Sequence, residues 1–447
     1  MAVISLILYL LPTPEGLTQS GYRIIIVALI AVTLIVTETL PLPGTAFVII
    51  ILEVFFGIGD ANSVSKSFMN DAVFFIMGSL MLAVAIVRQG WDERIALGII
   101  RVTGNKTHWV TFGFASVSAI ISSFIGEHTV VAIMLPIALT LIRFTSRAGK
   151  NVKNLSANIL FSIAYGSLIG SIGTPSGGGR NVILLNYWRE FGMPDISYIQ
   201  WMVHTYPLIL IQIPILSWLL NKIFPPECKI LDSGIRRLKR QVAVSEPLSV
   251  KKIGALGIFF MIFLGWVFLS DSVGLGIIAL SGVVLYLITG MVTWDDLNKH
   301  VNWGVVILFG ATISLGYQIN HTGAAQWIVN NLISLGENVL LSFPILTDAL
   351  VIIMTSIFAN VLSSSATVAV LGPIALNLPG DTIHLGLITA IASAFGYLTA
   401  VAAPACTIIY TTGLVRSKDF LKVGLKMGIF SILLLIIYAN IYWPLLR

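Results

Sequence analysis

The chain has 447 residues, of which 57% are hydrophobic and only 10% are charged. A soluble domain carries roughly 25% charged residues, so this composition excludes a soluble globular protein and indicates an all-α protein that crosses a membrane many times. The formal net charge of +6 is typical of Lys and Arg in cytoplasmic loops and does not indicate a nucleic-acid partner. The two cysteines, Cys228 and Cys406, form neither a disulfide framework nor a metal motif.

Apolar segments of spanning length recur along the whole chain. A helix needs about 20 mostly apolar residues to cross a bilayer, and two further apolar pieces, 128–143 and 362–378, predict the return arms of re-entrant hairpins. We therefore expect about eleven transmembrane helices plus two hairpins. The candidate segments are 22–40, 42–58, 72–89, 108–124, 155–173, 203–223, 253–270, 274–292, 303–319, 342–358, 383–401 and 425–443.

The longest polar connection, residues 224–252, is rich in Lys and Arg, which predicts that it faces the cytoplasm. It separates an N-terminal half, 1–223, from a C-terminal half, 253–447. Both halves carry the same landmarks in the same order: a glycine-containing apolar run, an amphipathic segment, a polar cluster before Pro-Ile-Ala-Leu, and a proline-containing break. An odd number of spans between the copies would invert the second, which predicts an inverted-topology repeat and a secondary transporter. The amphipathic segments are 91–101 and 324–332, and the polar clusters with their apolar runs are 123–139 and 361–376.

The first break, Ile172 to Asn181, contains Gly173-Thr174-Pro175 and three consecutive glycines inside an apolar stretch. Such a sequence cannot continue a helix at low cost, so we expect the helix to stop here and to resume around Asn181 or Val182. The free N–H groups of the resumed helix favour an anion, and the free carbonyls before the break favour a cation. Arg180 adds positive charge to this anion site. The alternative is a flexible hinge with Arg180 snorkelling to the membrane surface.

The second break, 401–407, carries less polar chemistry and one helix breaker, Pro404. Earlier in the same half, Ser363-Ser364-Ser365 and Thr367 offer hydroxyl donors at the tip of the second hairpin. Serine and threonine in membrane helices also bond back to their own backbone, which is the alternative to ligand binding.

Glu127 and His128 mark the tip of the first hairpin. An ionisable residue inside a membrane is a functional hypothesis by default. Glu127 could bind sodium through oxygen, could carry a proton, or could form a structural pair with Arg180 or His128. By contrast, we expect Glu38, Glu53, Asp60 and Asp71 to reach headgroup water near span ends, and Asp348 to pair locally inside a span. Large aromatics predict an interfacial belt: Trp188, Tyr198, Trp201, Tyr206 and Trp443.

The order of hairpin motif, Met134-Leu135-Pro136-Ile137-Ala138, the Gly173-Thr174-Pro175 break, second hairpin and second break resembles the divalent-anion:sodium symporter family, which includes dicarboxylate, citrate and sulfate carriers of the INDY type. The resemblance covers roughly residues 25 to 443. It implies an elevator-type carrier, usually a homodimer, with a Ser-Asn-Thr triplet at each hairpin tip. Here Gly126-Glu127-His128 and Ser363-Ser364-Ser365 replace the triplets, and Ala403 stands where a threonine is usual.

We therefore expect a multi-pass transporter in the plasma (inner) membrane, not an enzyme, that moves a small anion with sodium or protons. The anion could be a di- or tricarboxylate, sulfate or phosphate; a cation or arsenite carrier of the related antiporter type is the alternative. We expect no cofactor other than possible sodium ions, which would bind at the coupling positions. The expected substrate-binding residues are Glu127, His128, Thr129, Thr174, Pro175, Arg180, Asn181, Ser363, Ser364, Ser365, Thr367 and Pro404. The expected cation-binding or coupling residues are Ser122, Ser123, Gly126, Glu127, Gly173, Ser364 and Ala403.

Overall fold

The computed structural model describes residues 12–37, 39–89, 98, 102–146, 152–231, 235, 250–335, 343–400 and 402–446. Helices dominate these residues. In the N-terminal half they are α1 (Gln19–Thr37), α2 (Leu42–Phe55), α3 (Ala61–Phe68), α4 (Asp71–Arg88), α5 (Thr107–Ile125), α6 (Glu127–Ser146), α7 (Lys153–Gly170), α8 (Gly179–Glu190) and α9 (Tyr198–Ile223). In the C-terminal half they are α10 (Val250–Val273), α11 (Leu275–Ile288), α12 (Trp294–His300), α13 (Trp303–His321), α14 (Ala324–Leu335), α15 (Pro344–Ala359), α16 (Ser364–Leu376), α17 (Thr382–Ala392), α18 (Pro404–Tyr410) and α19 (Ser417–Ile441).

Eight helices among the described residues are long and apolar enough to cross a membrane, and five shorter ones are also apolar. Their outer faces carry many exposed Leu, Ile, Val and Phe side chains, as expected of helices solvated by lipid. The prediction of an all-α, multi-pass membrane protein is confirmed.

The two halves pack against each other reciprocally. In one pair of contacts, α2 of the first half lies against α13 of the second, and α11 of the second lies against α4 of the first. Deeper in the protein, α8 packs on α16, and α18 packs on α6. Each half therefore completes the other, which is the pattern that a duplicated and interleaved unit produces.

The first hairpin is held tightly against α7. Arms α5 and α6 meet at Gly126, whose φ of +79° is readily adopted only by glycine. Gly166 and Gly170 of α7 lie so close to the backbone of Ala115 and Ala119 that neither has room for a Cβ atom. This close approach fixes the depth of the hairpin tip within the protein.

Both helix breaks are present, but their limits differ from the prediction. After α7 ends at Gly170, a single 3₁₀ turn covers Pro175–Gly177, and α8 begins at Gly179 rather than at Asn181 or Val182. The second break begins at Ser393, well before the predicted 401–407, and lasts until α18 starts at Pro404. The additional non-helical backbone is bonded to the side chain of Asn360, described below.

Two predictions about polar residues are wrong. Glu53 is fully buried because α13 covers it, so it does not reach headgroup water. The aromatic residues Trp188, Trp201, Tyr198 and Trp443 are also buried and do not form an interfacial belt. Asp348 is paired as expected, but with other helices and not locally along the chain: its Oδ2 accepts hydrogen bonds from His384 of α17 at 2.8 Å and Asn440 of α19 at 2.9 Å.

Several predictions fall outside the described residues. These include Glu38, the amphipathic segment 91–101 apart from Gly98, and most of the loop 224–252. The second amphipathic segment is confirmed as a helix, α14.

Candidate functional site

Two helices of the first half begin close together inside the protein, since Arg180 at the start of α8 lies beside Glu127 at the start of α6. The Tyr187 hydroxyl of α8 donates to Ala369 O of α16 at 3.0 Å, and Trp188 Nε1 donates to Thr382 O at 3.1 Å, just beyond the end of α16. The C-terminal part of α8 therefore contacts the middle of α16 and the start of α17. Helices α6 and α18 also pack together. Converging helix N-termini favour an anion, because their free N–H groups point towards it.

Arg180 lies at the beginning of α8 and is only 1% exposed, so it does not snorkel to the membrane surface. Its Nη1 is 3.7 Å from Glu127 Oε1, and its Nη2 donates to Ser171 Oγ. Its Nε has no hydrogen-bond partner among the described residues. The guanidinium is thus held from two sides while one buried donor remains available, as an anion site requires.

The first break is rigidly bonded rather than loose. Asn181 Nδ2 donates to Ser171 O at 2.9 Å and to Thr174 O at 2.7 Å, which closes the turn on itself. The Thr174 hydroxyl donates to Ser123 O at the hairpin tip. Asn181 Oδ1 is buried without a partner among the described residues. These contacts hold the break in place, so it is not a flexible hinge.

Three residues that support this break were not expected from the sequence. Ser176 Oγ is 2.7 Å from the Tyr198 hydroxyl, and Trp201 Nε1 donates to Ile172 O at 2.9 Å. Both aromatics lie at the start of α9, where an aromatic residue resembles a membrane-surface anchor in sequence. In the sequence, the one hint of their role is that a broken helix leaves carbonyl groups without helical partners, to which a nearby side chain can bond.

The predicted cation positions surround the same backbone. Ser122 Oγ donates to Ser167 O and Ser123 Oγ donates to Gly170 O, both at 2.8 Å, so these hydroxyls tie α5 to the end of α7. Gly126 and Gly173 are both buried in this region. His128 and Thr129 are half-buried at the tip, where the His128 ring lies against Gly126.

The second hairpin tip divides its hydroxyls between two tasks. Ser363 caps α16 by accepting from Ala366 N at 3.3 Å, and Thr367 bonds back to Ser363 O at 3.1 Å, as the backbone alternative predicts. Ser364 Oγ is buried without a partner among the described residues, and Ser365 is half-buried. Pro404 is exposed at the start of α18, and Ala403 before it offers no side-chain donor.

Asn360 organises the second break. It stands as many residues after the start of α15 as Ser123 stands after the start of α5. Its Nδ2 donates to Phe395 O at 3.1 Å, and its Oδ1 accepts from Leu398 N at 2.7 Å. Thr399 Oγ1 then donates to Asn360 O at 3.3 Å, in the place of the Thr174 bond of the first half. The first half also contributes a hydrogen bond to the second break, from the Tyr165 hydroxyl to Tyr397 O at 2.6 Å.

No group of three or more His, Cys, Asp or Glu side chains that could hold a metal occurs in the part of the chain that the structure describes. A cation at this site would instead bind to carbonyl, hydroxyl and carboxylate oxygens. Such oxygens are present at the end of α7 and at the first hairpin tip, beside the Arg180–Glu127 pair.

Sequence comparison relates the whole chain to known carriers. The family described as "Sodium:sulfate symporter transmembrane region" matches residues 1–447. The sodium-dependent high-affinity dicarboxylate transporter 3 of Caenorhabditis elegans is 25% identical over 90% of this chain and 80% of its own length. The sodium-dependent dicarboxylate transporter SdcS of Staphylococcus aureus (strain USA300) is 25% identical over 97% of this chain and 88% of its own length.

Two solved structures share the fold. The antimetabolite efflux pump MtrF of Neisseria gonorrhoeae superposes with a TM-score of 0.56 at 14% identity, covering 96% of both chains. The YdaH transporter of Alcanivorax borkumensis superposes with a TM-score of 0.58 at 12% identity, covering 88% of this chain and 90% of its own.

Proposed function

Because this chain belongs to the sodium:sulfate symporter family, we propose that it carries a small anion across the plasma membrane together with sodium ions, and that Arg180 binds the anion. The observation that supports this most directly is the buried guanidinium with one unsatisfied donor, placed at the N-terminus of α8 and beside that of α6. The transporter names of the relatives agree with the expectation that the chain is not an enzyme.

In this proposal the anion lies between the beginnings of α8 and α16. Arg180 supplies charge, and the N-terminal N–H groups of both helices supply donors. Asn181, with Thr174 and Pro175, shapes the first break, while Ser363, Ser364 and Ser365 close the site from the second hairpin. The unsatisfied Ser364 hydroxyl is the best placed of the three to donate to the anion, because it has no other partner among the described residues. Glu127, His128, Thr129 and Pro404 stay predictions for the same site, while Thr367, whose hydroxyl bonds back to Ser363 O, is assigned no contact with the anion in this proposal.

The cation is proposed to bind beside it, at the end of α7 and the first hairpin tip. The carbonyl groups at the end of α7 carry the negative end of the helix dipole. Ser122, Ser123, Gly126, Glu127 and Gly173 surround that end. A sodium ion there would neutralise Glu127, so that Arg180 would be released to the anion, which gives a reason for the two to bind together. Ala403 and Ser364 are the proposed counterparts in the second half.

The substrate class is proposed to be a dicarboxylate or a doubly charged inorganic oxyanion such as sulfate. Both present oxygen pairs that match a guanidinium and helix N–H groups. The curated relatives carry dicarboxylate in their names, whereas the family is named for sulfate. A single fixed Arg beside a Glu favours a compact dianion over a tricarboxylate, because the Arg180–Glu127 pair leaves little net positive charge.

We also propose that movement follows an elevator mechanism in a homodimer. The hairpins and broken helices α5–α8 and α15–α18 would form the moving unit, and the two halves would have inverse orientations with 224–252 in the cytoplasm. The reciprocal packing of the halves supports this division.

Uptake into proteoliposomes tests the proposal. Labelled succinate, citrate, sulfate, phosphate and arsenite would be offered one at a time, with a sodium gradient and a pH gradient imposed separately. We expect accumulation of succinate or sulfate that requires inward sodium. Uptake of arsenite alone, or efflux of sodium against protons without any anion, would support the cation or arsenite carrier instead and contradict the proposal.

A further inference from the structure

A second buried carboxyl group lies apart from the Arg180 site. Glu53, near the end of α2, has no exposed surface. Its Oε2 accepts a hydrogen bond from Ser314 Oγ of α13 at 2.6 Å, and Ser314 Oγ is 2.9 Å from Ser67 Oγ of α3. Its Oε1 is buried with no hydrogen-bond partner among the described residues.

Among the described residues, no ion pair neutralises a negative charge on Glu53. Helices α1, α3 and α13 pack around α2, and no described cation lies within 4 Å of the carboxyl group. Arg23 of α1 donates to Phe56 O at 2.7 Å, beyond the end of α2. The other titratable groups on the elements packed around α2 are Tyr22 on α1, Asp60 and the exposed Lys66 at α3, and Tyr317 and His321, which stack on each other on α13. Tyr187 of α8 lies against α13 as well.

A carboxylate with this burial and no counter-charge is very costly, so Glu53 must be neutralised by something that binds to it. We propose that Glu53 is a proton-binding site, separate from the transport site and embedded between α2, α3 and α13. A proton needs one free oxygen, and Oε1 is that oxygen.

A sodium ion fits the same place poorly. A hard cation needs several oxygen ligands at once. Here Oε2 is engaged with Ser314, and Ser67 Oγ lies within bonding distance of its own helix carbonyls Ser63 O, at 3.1 Å, and Val64 O, at 3.0 Å, as well as of Ser314. The contacts therefore leave one carboxyl oxygen and no ready shell for a metal ion.

The position of α13 gives this proton a consequence for transport. Ser314 faces Glu53, while Thr312 O, on the same helix, lies 3.4 Å from the Tyr187 hydroxyl. Gly316 leaves the space that Tyr187 occupies, because a Cβ there would collide with its hydroxyl. Tyr187 belongs to α8, and Arg180 lies in the first turn of the same helix. Loss of the proton would place a charge against α13 and draw water or cations towards it, so we expect slower transport with little change in anion affinity.

Infrared difference spectroscopy on the purified, membrane-reconstituted full chain tests the proposal without any substrate. In wild type, an absorption band of a buried protonated carboxyl should be present at neutral pH and should disappear only under alkaline conditions. Glu53→Gln should remove it. Asp348→Asn is the matched control, because Asp348 is also buried but accepts from His384 and Asn440; the band should survive that change. Ser314→Ala should shift the band to higher frequency by removing a hydrogen bond, which provides a second reading if Glu53→Gln does not fold.

Two outcomes would overturn the proposal. A band that is unaffected by both Glu53→Gln and Ser314→Ala would mean that Glu53 carries no proton. A band that appears only when sodium is withdrawn would mean that the carboxylate binds sodium. Transport supplies an independent check: the alkaline decline of the maximal rate in wild type should be lost in Glu53→Gln, with the KM for the anion unchanged. Failure of the sodium-coupled anion proposal would change the substrate panel but leave this band in place.

Discussion

The two hairpin–break junctions perform the same structural task with different chemistry. In the first, Thr174 of the break donates to Ser123 O of the hairpin, and in the second Thr399 donates to Asn360 O. The first junction is short and carries Arg180, Glu127 and Asn181. The second is longer and its break, among the described residues 393–400 and 402–403, carries no charged side chain. The link between hairpin and break is thus the same in both halves, while charge is concentrated in the first.

This asymmetry separates binding from support. A buried ion pair contributes little to stability unless its geometry is excellent, and the Arg180–Glu127 separation of 3.7 Å is long for a hydrogen-bonded pair. The first junction therefore keeps charge that stability alone does not explain. The second junction uses a neutral amide and hydroxyls, which satisfy backbone groups at lower desolvation cost.

The largest effect should follow the removal of the positive charge. Arg180→Gln keeps a polar side chain but cannot pair with an anion, and charge-assisted hydrogen bonds are worth about 1.5–3 kcal/mol. We expect KM for the transported anion to rise by roughly 10- to 100-fold, since about 1.4 kcal/mol corresponds to a factor of ten. Initial uptake rates in proteoliposomes measure this.

The control for Arg180→Gln is a second substitution that also removes the charge of its partner, Glu127. Arg180→Gln alone leaves Glu127 buried and unpaired, which destabilises the protein. The double variant Arg180→Gln with Glu127→Gln should recover thermal stability but not transport. Recovery of transport by the double variant would show that Arg180 serves only to neutralise Glu127.

The second prediction concerns Glu127 itself. Glu127→Gln keeps the shape and the hydrogen-bonding capacity of the side chain but cannot titrate or neutralise a cation. If Glu127 helps to bind sodium, the variant should need several-fold more sodium for half-maximal uptake and show an unchanged pH response. If Glu127 carries a coupled proton, pH-driven accumulation should be lost while exchange of anion across the membrane persists. Identical sodium and pH dependence in wild type and variant would reduce Glu127 to a structural partner of Arg180.

The third prediction concerns the second junction, whose break carries no charged side chain among the described residues. Asn360→Ala leaves Phe395 O and Leu398 N without their side-chain partner, and each buried unsatisfied group costs about 1–3 kcal/mol. We expect a lower unfolding temperature and a reduced amount of folded protein, with KM for the anion little changed in what remains. Ser123→Ala is the matched change in the first half and should cost less, because it removes a single hydroxyl donor, shared between Gly170 O and Ala119 O. A larger loss for Ser123→Ala would contradict the assigned role of Asn360.

The sequence indicated those parts of the site whose residues are unusual in a membrane helix. Three glycines and a proline in an apolar stretch located the first break, and Arg180 stood out because charge is costly in a membrane. The role of Asn360 was not recognised from the sequence because an asparagine after a helix resembles an ordinary C-cap. Its hydrogen-bond partners, Phe395 and Leu398, are far along the chain. Glu53 was misplaced for the same reason, since only the packing of α13 across α2 decides that it is buried.

The smallest predicted effect distinguishes the hydroxyls of the second hairpin. Ser364 Oγ is buried and has no partner among the described residues, so Ser364→Ala removes no hydrogen bond from the empty protein and should leave its thermal stability unchanged or slightly higher. If the hydroxyl donates to the anion, KM should rise by about three- to ten-fold, the value of one neutral hydrogen bond. Thr367→Val is the matched control, because its hydroxyl already bonds to Ser363 O; it should lower stability and leave KM unchanged. A rise in KM for Thr367→Val with none for Ser364→Ala would exchange the two roles, and would place the substrate deeper along α16 than the helix N-terminus.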